Sequence, residues 1–406
     1  MVAFELLDRH ASLFGTSAIT AAIAVTLLIR FRTRQRFAGP QDIHLEPTSR
    51  LGGIAVFFGY VLGLAVAREL GLLPVGPALA LLIAALPVQI VGVCEDIAHR
   101  VSPRRRLLAA LVSATLAIAF ADGVVTRLDL PYFDRWLSEA LIAVPLTWFM
   151  VAGACNAFNI IDGNHGLAGG TALLSFLGLA IAAWNANDTL VLAQAVGITG
   201  ALAGFLLWNY PRGKIFLGDA GAYFIGFMYA ELSIQLIARN AGISAWFVIA
   251  LAAYPIAETV FSIYRRKFVR HTAAMQPDDL HLHSLVYVCF ISFAQRPRSG
   301  DRRCHVVAKA YAGGERRRPM RQANARVAPL LWLHAGLCFV SALYFRDNTP
   351  ALIAFTCVYA TLYIVCYRGV VRLNSHKVLL LPVPSAQVSA VPQPTVAQFP
   401  ANLSGD

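Results

Sequence analysis

Polar residues that could bind a phosphate or a metal ion are concentrated in short segments between long apolar runs. The clearest segment holds Asn156, Asn159 and Asp162, and Gly163 and Gly166 allow its backbone to turn. Asn159 and Asp162 are three residues apart, so they share one face if the preceding helix continues that far. Polar groups at the edge of a membrane are costly, which favours a functional role. A short polar loop with a glycine turn is the alternative interpretation.

Two further segments carry acids at the boundary of an apolar run. Glu95 and Asp96 are adjacent, and the repulsion between neighbouring carboxylates is relieved by a cation, either an arginine or a divalent metal. Arg100 and Arg104 lie at helical spacing and could supply that charge without a metal. Asp219 lies between glycines where a helix is expected to begin, and an acid there also complements the helix dipole.

Histidine, glycine and lysine residues occur in the same set of segments. His281 and His283 form a His-x-His pair that could contact a metal or a phosphate, although many surface pairs do neither. Gly52 and Gly53, at an expected helix start, allow a ligand to approach the backbone, or allow close helix packing. Lys214 precedes the segment that contains Asp219.

The elements that must position these residues are membrane helices. The chain has 406 residues, of which 57% are hydrophobic and 14% charged, with a mean hydropathy of +0.60, whereas soluble domains carry roughly 25% charged residues. A helix needs about 20 apolar residues to cross a bilayer. Eleven runs qualify or nearly qualify: 11–29, 51–67, 76–93, 107–121, 139–157, 166–184, 189–207, 221–238, 244–263, 328–345 and 350–367. The sequence therefore predicts an all-α polytopic membrane protein with about 10–11 transmembrane helices.

The distribution of basic residues predicts the orientation of these helices. If the 30–50 loop is cytoplasmic, the inner segments contain 28 of the 34 Lys and Arg residues and the outer segments contain 6. The amino terminus is then outside, the carboxyl terminus is inside, and the polar segments described above are cytoplasmic. Topology and attraction to anionic lipid account for the net charge of +12, so nucleic-acid binding is not expected.

The apolar pattern also divides the chain into four parts. Residues 1–290 are predicted to form the membrane core with its inner loops, and 291–327 a basic cytoplasmic loop. Residues 328–367 should form the last two membrane helices. The Pro-, Ala- and Ser-rich stretch 368–406 is predicted to be a disordered cytoplasmic tail.

Converging on one face of a helical bundle, the inner loops would form a cytoplasmic active-site cleft suited to phosphoryl transfer. Mg²⁺ prefers oxygen ligands and keeps several waters, so one or two aspartates suffice. The ion and nearby cations neutralise a pyrophosphate, and a cleft at the bilayer edge suits a water-soluble donor and a lipid acceptor. The residues available there are Glu95, Asp96, Asp162, Asp219, Asn156, Asn159, His281, His283, Arg50, Lys214 and Arg265.

Five of these segments, in this order and spacing, resemble the polyprenyl-phosphate N-acetylhexosamine-1-phosphate transferase family, the MraY/WecA-like enzymes. The likeness covers about residues 10–290. The segments are Pro-Thr-x-Arg-x-Gly-Gly at 47–53, the acidic pair at 95–96 with Ser-Pro-x-x-Arg at 102–106, Asn-Ala-Phe-Asn-x-x-Asp-Gly at 156–163, Phe-Leu-Gly-Asp-x-Gly at 216–221 and His-Leu-His at 281–283.

The resemblance implies that an N-acetylhexosamine-1-phosphate passes from a UDP-sugar to undecaprenyl phosphate with release of UMP. It implies Mg²⁺ as the cofactor, with Mn²⁺ as a substitute, and a multi-pass location in the bacterial inner membrane with the active site facing the cytoplasm. The partners are then the UDP-N-acetylhexosamine, the lipid phosphate and the bilayer. A homodimer is also compatible with the sequence.

The resemblance also assigns roles to individual residues. It implies that Asp219 binds magnesium, and that Asp96 helps to hold the metal or acts as a base on the lipid phosphate. The candidate catalytic residues are Glu95, Asp96, Asp162, Asp219 and His281, and the candidate ligand-binding residues are Gly52, Gly53, Asn156, Asn159, Lys214 and His283.

This chain departs from the family pattern at several positions. Glu95 stands where an aspartate is usual, Ala222 where a serine is usual, and Glu46 where a basic residue is common. The triple histidine of the muramyl-pentapeptide branch is interrupted by Leu282 and Ser284, which favours the branch that starts O-antigen, capsule or cell-wall polymers. The alternatives are a catalytically impaired family member that binds donor or lipid, and a transporter. A transporter is disfavoured because the acids lie at span ends on one side.

Overall fold

The computed structural model describes residues 2–30, 48–269, 280–294 and 317–375. Within these ranges the chain is helical, with one isolated parallel bridge between two loops. The helices are α1 (Val2–Leu28), α2 (Gly52–Glu69), α3 (Val75–Ala98), α4 (Pro103–Phe120), α5 (Pro131–Asp134), α6 (Ala140–Ile160), α7 (Leu167–Asn185), α8 (Thr189–Asn209), α9 (Gly218–Arg239), α10 (Ala245–Leu251), α11 (Ala253–Tyr264), α12 (Leu282–Ala294), α13 (Arg317–Tyr344) and α14 (Thr349–Ser375).

The prediction of an all-α polytopic membrane protein is confirmed. In the described ranges nine helices are long and apolar enough to cross a membrane, and the bent pair α10–α11 makes a tenth if it forms one span. The run predicted at 107–121 lies in α4, whose first turn carries Arg104, Arg105 and Arg106. With those three charges α4 is not among the nine helices, so the predicted span at 107–121 is not confirmed.

The run predicted as one helix at 244–263 is broken in the structure. Helices α10 and α11 meet at an angle of 75°. Pro255 has no backbone N–H, and its ring clashes with the carbonyl group four residues earlier, that of Leu251. Since Leu251 is the last residue of α10, the proline accounts for the position of the break. The bend redirects α11, which carries Glu258.

Helix α9 lies at the centre of the bundle. The apolar stretch of this helix is completely buried. The helix packs against α2, α3, α4, α6, α7 and α8. Small residues permit this close packing: a Cβ on Gly226 would lie 2.5 Å from the Cα of Cys155 in α6. The helix begins at Gly218, so its first turn places Asp219 where the ends of several neighbouring helices meet.

Some of the predicted boundaries differ from the helices, and some fall outside the described residues. Helix α13 begins at Arg317, before the predicted start at 328, and α14 continues to Ser375, past the predicted end at 367. Most of the predicted basic loop, most of the predicted tail, and Glu46 lie outside the described ranges.

Candidate active site

Two loops that are far apart in sequence are joined at the start of α2 and α9. The N–H of Phe216 donates to the carbonyl oxygen of Ser49 at 2.9 Å. The N–H groups of Gly52 and Gly53 donate in turn to the carbonyl oxygens of Phe216 and Leu217, at 2.9 and 2.8 Å. These bonds satisfy two amino-terminal N–H groups of α2 that no intrahelical carbonyl can reach. They also fix the 48–53 segment against the residues that lead into α9.

The glycine pair brings two parts of the chain together. A Cβ on Gly53 would lie 2.0 Å from the nitrogen of Gly221, and a Cβ on Gly52 would lie 2.4 Å from the carbonyl oxygen of Phe216. The close backbone approach expected for a ligand is therefore, in this structure, an approach of α2 to α9. Of the two interpretations of this glycine pair, the geometry supports helix packing.

Two of the predicted acids bind the amino end of α9. Asp96 accepts a hydrogen bond from the N–H of Asp219 on Oδ1 and another from the N–H of Ala220 on Oδ2, both at 2.9 Å. Asp162 accepts from the N–H of Gly218 at 3.0 Å. Carboxylates at this end satisfy otherwise unpaired N–H groups and interact favourably with the helix dipole. The start of α9 thus draws together carboxylates from α3 and from the loop between α6 and α7.

Gly218 is required for this arrangement. Its φ angle is +72°, a region that favours glycine. A Cβ at this position would lie 2.1 Å from the carbonyl oxygen of Arg50 and 2.6 Å from Oδ2 of Asp96. Any larger residue would push the carboxylate of Asp96 away from the helix.

Asp219 is surrounded by side chains that can donate hydrogen bonds. Arg50 Nη2 lies 3.0 Å from Oδ1, Asn159 Nδ2 lies 3.2 Å from the same oxygen, and Arg106 forms a short ion pair with Oδ2. Arg50 also lies 3.4 Å from Asp96. The acid at position 96 is therefore paired with an arginine of the first loop, whereas helical spacing had suggested Arg100 and Arg104.

The site concentrates negative charge. Burial raises the pKa of Asp162 to about 7; attraction by Arg50 opposes this effect, and repulsion from Asp219 adds to it. Asp96 is buried with 1% exposure and Asp219 with 4%. Three carboxylates thus share two arginines in a region sheltered from water, and such an arrangement is typical of functional sites.

Three predicted site residues have other partners. Glu95 accepts from the N–H of Val101 at 2.7 Å and so closes the turn after α3. Asn156 donates to the carbonyl oxygen of Ala152 within its own helix. Lys214 lies over the ring of Trp208, with its nitrogen 4.6 Å from the ring centre.

The His-x-His pair lies against the turn that contains Asp162. The rings of His281 and His283 stack in parallel with their centres 5.4 Å apart. A Cβ on Gly163 would lie 2.4 Å from Nε2 of His283, so only glycine leaves room for this ring. Burial lowers the pKa of His283 to about 4, and the ring is therefore neutral at physiological pH.

Sequence reasoning named Arg50 as a basic residue of the cleft but missed Arg106 and Glu258 as members of the site. Arg106 is the last residue of the Ser-Pro-x-x-Arg segment, and it contacts Asp219. Glu258 is buried in α11 and lies 3.0 Å from His281. A lone acid within an apolar run is itself a signal of function, and this signal marks Glu258 in the run 244–263.

The donor set at Asp219 fits a hard cation that is completed by water and substrate. Within the described ranges, no group of three or more His, Cys, Asp or Glu side chains is arranged to hold a metal by itself. Both oxygens of Asp96 already accept backbone N–H groups, whereas the partners of Asp219 are side chains that can rotate away. Mg²⁺ commonly takes only one or two carboxylates together with substrate phosphates, and Asp219 meets that requirement better than Asp96 does.

The three acids lie in a part of the chain that matches a known protein family. The glycosyl transferase family 4 model matches residues 78–237, a range that contains Asp96, Asp162 and Asp219. Over these residues the chain is similar to glycosyl transferase family 4. The range matched by this family 4 model ends before His281 and begins after Gly53.

Curated proteins are similar to this chain over part of its length. A protein of Bacillus subtilis named probable undecaprenyl-phosphate N-acetylglucosaminyl 1-phosphate transferase is 28% identical over 60% of this chain and 66% of its own length. A decaprenyl-phosphate N-acetylglucosaminephosphotransferase of Mycolicibacterium smegmatis is 28% identical over 68% of this chain and 75% of its own. A phospho-N-acetylmuramoyl-pentapeptide-transferase of Geobacillus is 29% identical over 54% and 72%. The chain thus spans just under two thirds of the Bacillus protein.

Proposed function

We propose that this protein transfers an N-acetylhexosamine-1-phosphate from a UDP-sugar to undecaprenyl phosphate. An oxygen of the lipid phosphate becomes bonded to the phosphorus that carries the sugar, the bond from that phosphorus to UMP breaks, and UMP leaves. The products are a lipid-linked pyrophosphoryl sugar and UMP. The names of the Bacillus and Mycolicibacterium relatives describe transferases that act on polyprenyl phosphates, which supports this choice of acceptor.

The single observation that carries the proposal is the meeting of three acids and two arginines at the start of α9. Asp96, Asp162 and Asp219 come from separate segments and share Arg50 as a charge partner. Arg106, in the first turn of α4, pairs with Asp219. Phosphoryl transfer depends mainly on positioning and on stabilising charge at the phosphate oxygens, and this combination of groups can do both.

In this proposal the two arginines bind the pyrophosphate of the donor. Arg50 and Arg106 are in ion pairs with Asp219, and a guanidinium group suits two-point contact with phosphate. Asp219 would hold Mg²⁺, which would neutralise charge on the pyrophosphate oxygens. Asn159, 3.2 Å from Asp219, would orient that carboxylate or contact the nucleotide side of the donor.

The lipid acceptor requires that the site lie at the edge of the bilayer. Asp96 is near the end of α3 and Asp219 is in the first turn of α9, and both helices are long and apolar enough to span a membrane. The excess of basic residues predicts that this edge is cytoplasmic. We therefore place the enzyme in the bacterial inner membrane, where it would start a surface glycan such as O-antigen, capsule or a cell-wall polymer.

The test is direct measurement of transfer by the full chain. Membranes or purified protein are incubated with undecaprenyl phosphate, Mg²⁺ and each of a panel of radiolabelled UDP-N-acetylhexosamines. We expect a lipid-soluble labelled product with one donor, and its mass should equal that of the lipid phosphate plus one N-acetylhexosamine-1-phosphate minus one water. Absence of product with every donor, under conditions in which an authentic relative is active, would contradict the proposal.

A further inference from the structure

Glu258 is a fully buried acid in the apolar helix α11, and its surroundings distinguish it from Glu231, which is equally buried. Both Glu258 and Glu231 have 0% exposure. In the described part of the chain, neither carboxylate oxygen of Glu231 has a hydrogen-bond partner. Glu258, by contrast, binds the loop that leads into α12 through several atoms. A buried carboxylate costs free energy unless it is paired, so the pairing of Glu258 marks a specific role.

The partners of Glu258 are the first histidine of the His-x-His pair and the backbone beside it. Its Oε1 lies 3.0 Å from Nδ1 of His281, and Oε1 and Oε2 accept from the N–H of Leu282 at 3.2 and 3.3 Å. Ser262, one turn further along α11, places its Oγ 3.1 Å from the same Nδ1. Two residues of α11 therefore fix one side of the His281 ring.

A second set of contacts fixes the same loop from the last helix. Arg265 donates to the hydroxyl group of Tyr367 in α14 at 2.8 Å, and this hydroxyl donates to the carbonyl oxygen of Leu280 at 3.1 Å. The loop is thus held immediately before and after His281. The titratable groups that face Glu258 from the surrounding elements are His281, His283, Tyr254, Tyr359 and Tyr363.

The second nitrogen of the His281 ring, Nε2, is not held by α11. The side chain of His281 keeps 12% exposure, and Nε2 makes no hydrogen bond to any described residue. The ring stacks on His283, which lies against Gly163, the residue after Asp162. The accessible nitrogen of the pair therefore belongs to the histidine that stacks on His283, which in turn lies against the residue after Asp162.

We propose that Glu258 is a positioning residue that holds the Nδ1–H of His281 and leaves Nε2 as the atom that contacts the phosphate groups of the substrates. The inference rests on the proposed function and adds a residue to it. A carboxylate can only accept, so it fixes the proton on Nδ1 and the tautomer of the ring. Comparable carboxylate–histidine pairs orient metal-binding histidines, and losing the outer partner typically costs 10–100-fold in activity.

The test compares two substitutions that separate the hydrogen bond from the charge. Glu258→Gln keeps one oxygen, and Oε1 already contacts both His281 and Leu282, so the variant should retain activity within about 10-fold of wild type. Glu258→Leu removes the acceptor, and its kcat should fall about 100-fold while KM for the UDP-sugar changes less than about threefold. If Glu258→Leu only reduced the amount of folded protein, the rate per folded molecule would be unchanged and only the folded yield would fall.

Coupling to His281 is the decisive measurement. His281→Asn should reduce kcat at least as much as Glu258→Leu, and the double variant should be no slower than His281→Asn alone, because both changes remove the same oriented nitrogen. Multiplied losses in the double variant would contradict the proposal. The matched control is Glu231→Gln, an equally buried glutamate without these contacts, which should have wild-type kcat.

A spectroscopic measurement tests the positioning even if the transfer assay fails. In protein with ¹⁵N-labelled histidine, the His281 signal, assigned by its loss in His281→Asn, should show the proton on Nδ1 at alkaline pH. In Glu258→Leu the proton should move to Nε2. If the tautomer is unchanged by Glu258→Leu, the positioning role is wrong. If the tautomer changes but no UDP-sugar is used, the proposed function alone is wrong.

Discussion

The two ends of helix α9 both carry networks of acids and arginines, yet the networks differ in kind. At the carboxyl end, an outer clamp joins loops through Arg127, Asp129, Asp188, Arg239 and Asn240. At the amino end, an acidic cluster of Asp96, Asp162 and Asp219 gathers around shared arginines. Both contain buried carboxylates, so the number of acids does not separate a structural network from a candidate site.

In the outer clamp each group has its own partners. Arg127 donates to the carbonyl oxygens of Ile237, Asn240 and Ile243, at 3.1, 2.9 and 2.6 Å, and so binds the end of α9. Asp188 accepts from Arg239 and from the side chain of Asn240, both at 2.9 Å. These contacts satisfy unpaired carbonyl groups at a helix end, which makes the clamp a structural element.

In the acidic cluster the carboxylates act on one another. Asp219 repels both Asp96 and Asp162, and Arg50 attracts all three. Like charges held together in this way respond strongly to any added cation. Mutual repulsion between carboxylates, more than burial, therefore distinguishes the end of α9 that is suited to chemistry.

The largest expected effect is on activity at the acidic cluster. Asp219→Asn should lower kcat by about 10³-fold or more, since it removes the charge that would hold the cation and its electrostatic stabilisation of the transition state. The protein should remain folded, because an amide can keep the contacts with Arg50 and Asn159 through its oxygen. The measurement is the radiolabel transfer assay on protein of equal folded yield; near-wild-type rates would remove Asp219 from the mechanism.

The outer clamp should show the opposite pattern. Arg127→Ala should lower the free energy of unfolding by about 2 kcal/mol, because it leaves carbonyl groups of α9 and the Asp129 carboxylate without their partner. The kcat of the remaining folded protein should stay within about threefold of wild type. Thermal unfolding in detergent and the transfer assay measure the two quantities, and a selective loss of kcat without loss of stability would show that the clamp is not merely structural.

Asp162 should make a distinct contribution to the pH dependence of stability. Asp162 has a pKa of about 7 in the fold, whereas an unfolded aspartate titrates near 3.9. Between these values the unfolded aspartate ionises first, so the contribution of Asp162 to the stability of the metal-free protein falls as pH rises and levels off above about 7. Asp162→Asn removes this contribution. Its melting temperature should therefore rise relative to wild type by roughly 2 °C or more between pH 5 and pH 8; a constant difference would contradict the assignment.

The smallest expected effect is at the unusual acid of the pair. Glu95 binds the N–H of Val101 instead of joining the acidic cluster, so Glu95→Asp should change kcat by less than about threefold. An increase of tenfold or more in the transfer assay would instead favour the alternative in which this chain is an impaired family member.

Much of the fold and the acid set could be predicted from the sequence, because both depend on local patterns. Long apolar runs predict the membrane-spanning helices, and Asp96, Asp162 and Asp219 lie close to the ends of such runs. The bend before Pro255 was missed, since apolar periodicity carries no information on direction. Glu258 was missed because its partner, His281, is 23 residues away and meets it only after that bend. The roles of Gly52 and Gly53 could not be chosen without knowing which backbone lies beside them.

The central claim is that the acidic cluster holds one divalent cation for phosphoryl transfer. Electron paramagnetic resonance of Mn²⁺ added to the purified full chain in the presence of the UDP-sugar measures this most directly. We predict one tightly bound Mn²⁺ per chain in wild type and in Glu231→Gln, competed by Mg²⁺, and none in Asp219→Asn. Equal Mn²⁺ binding by wild type and Asp219→Asn would contradict the account.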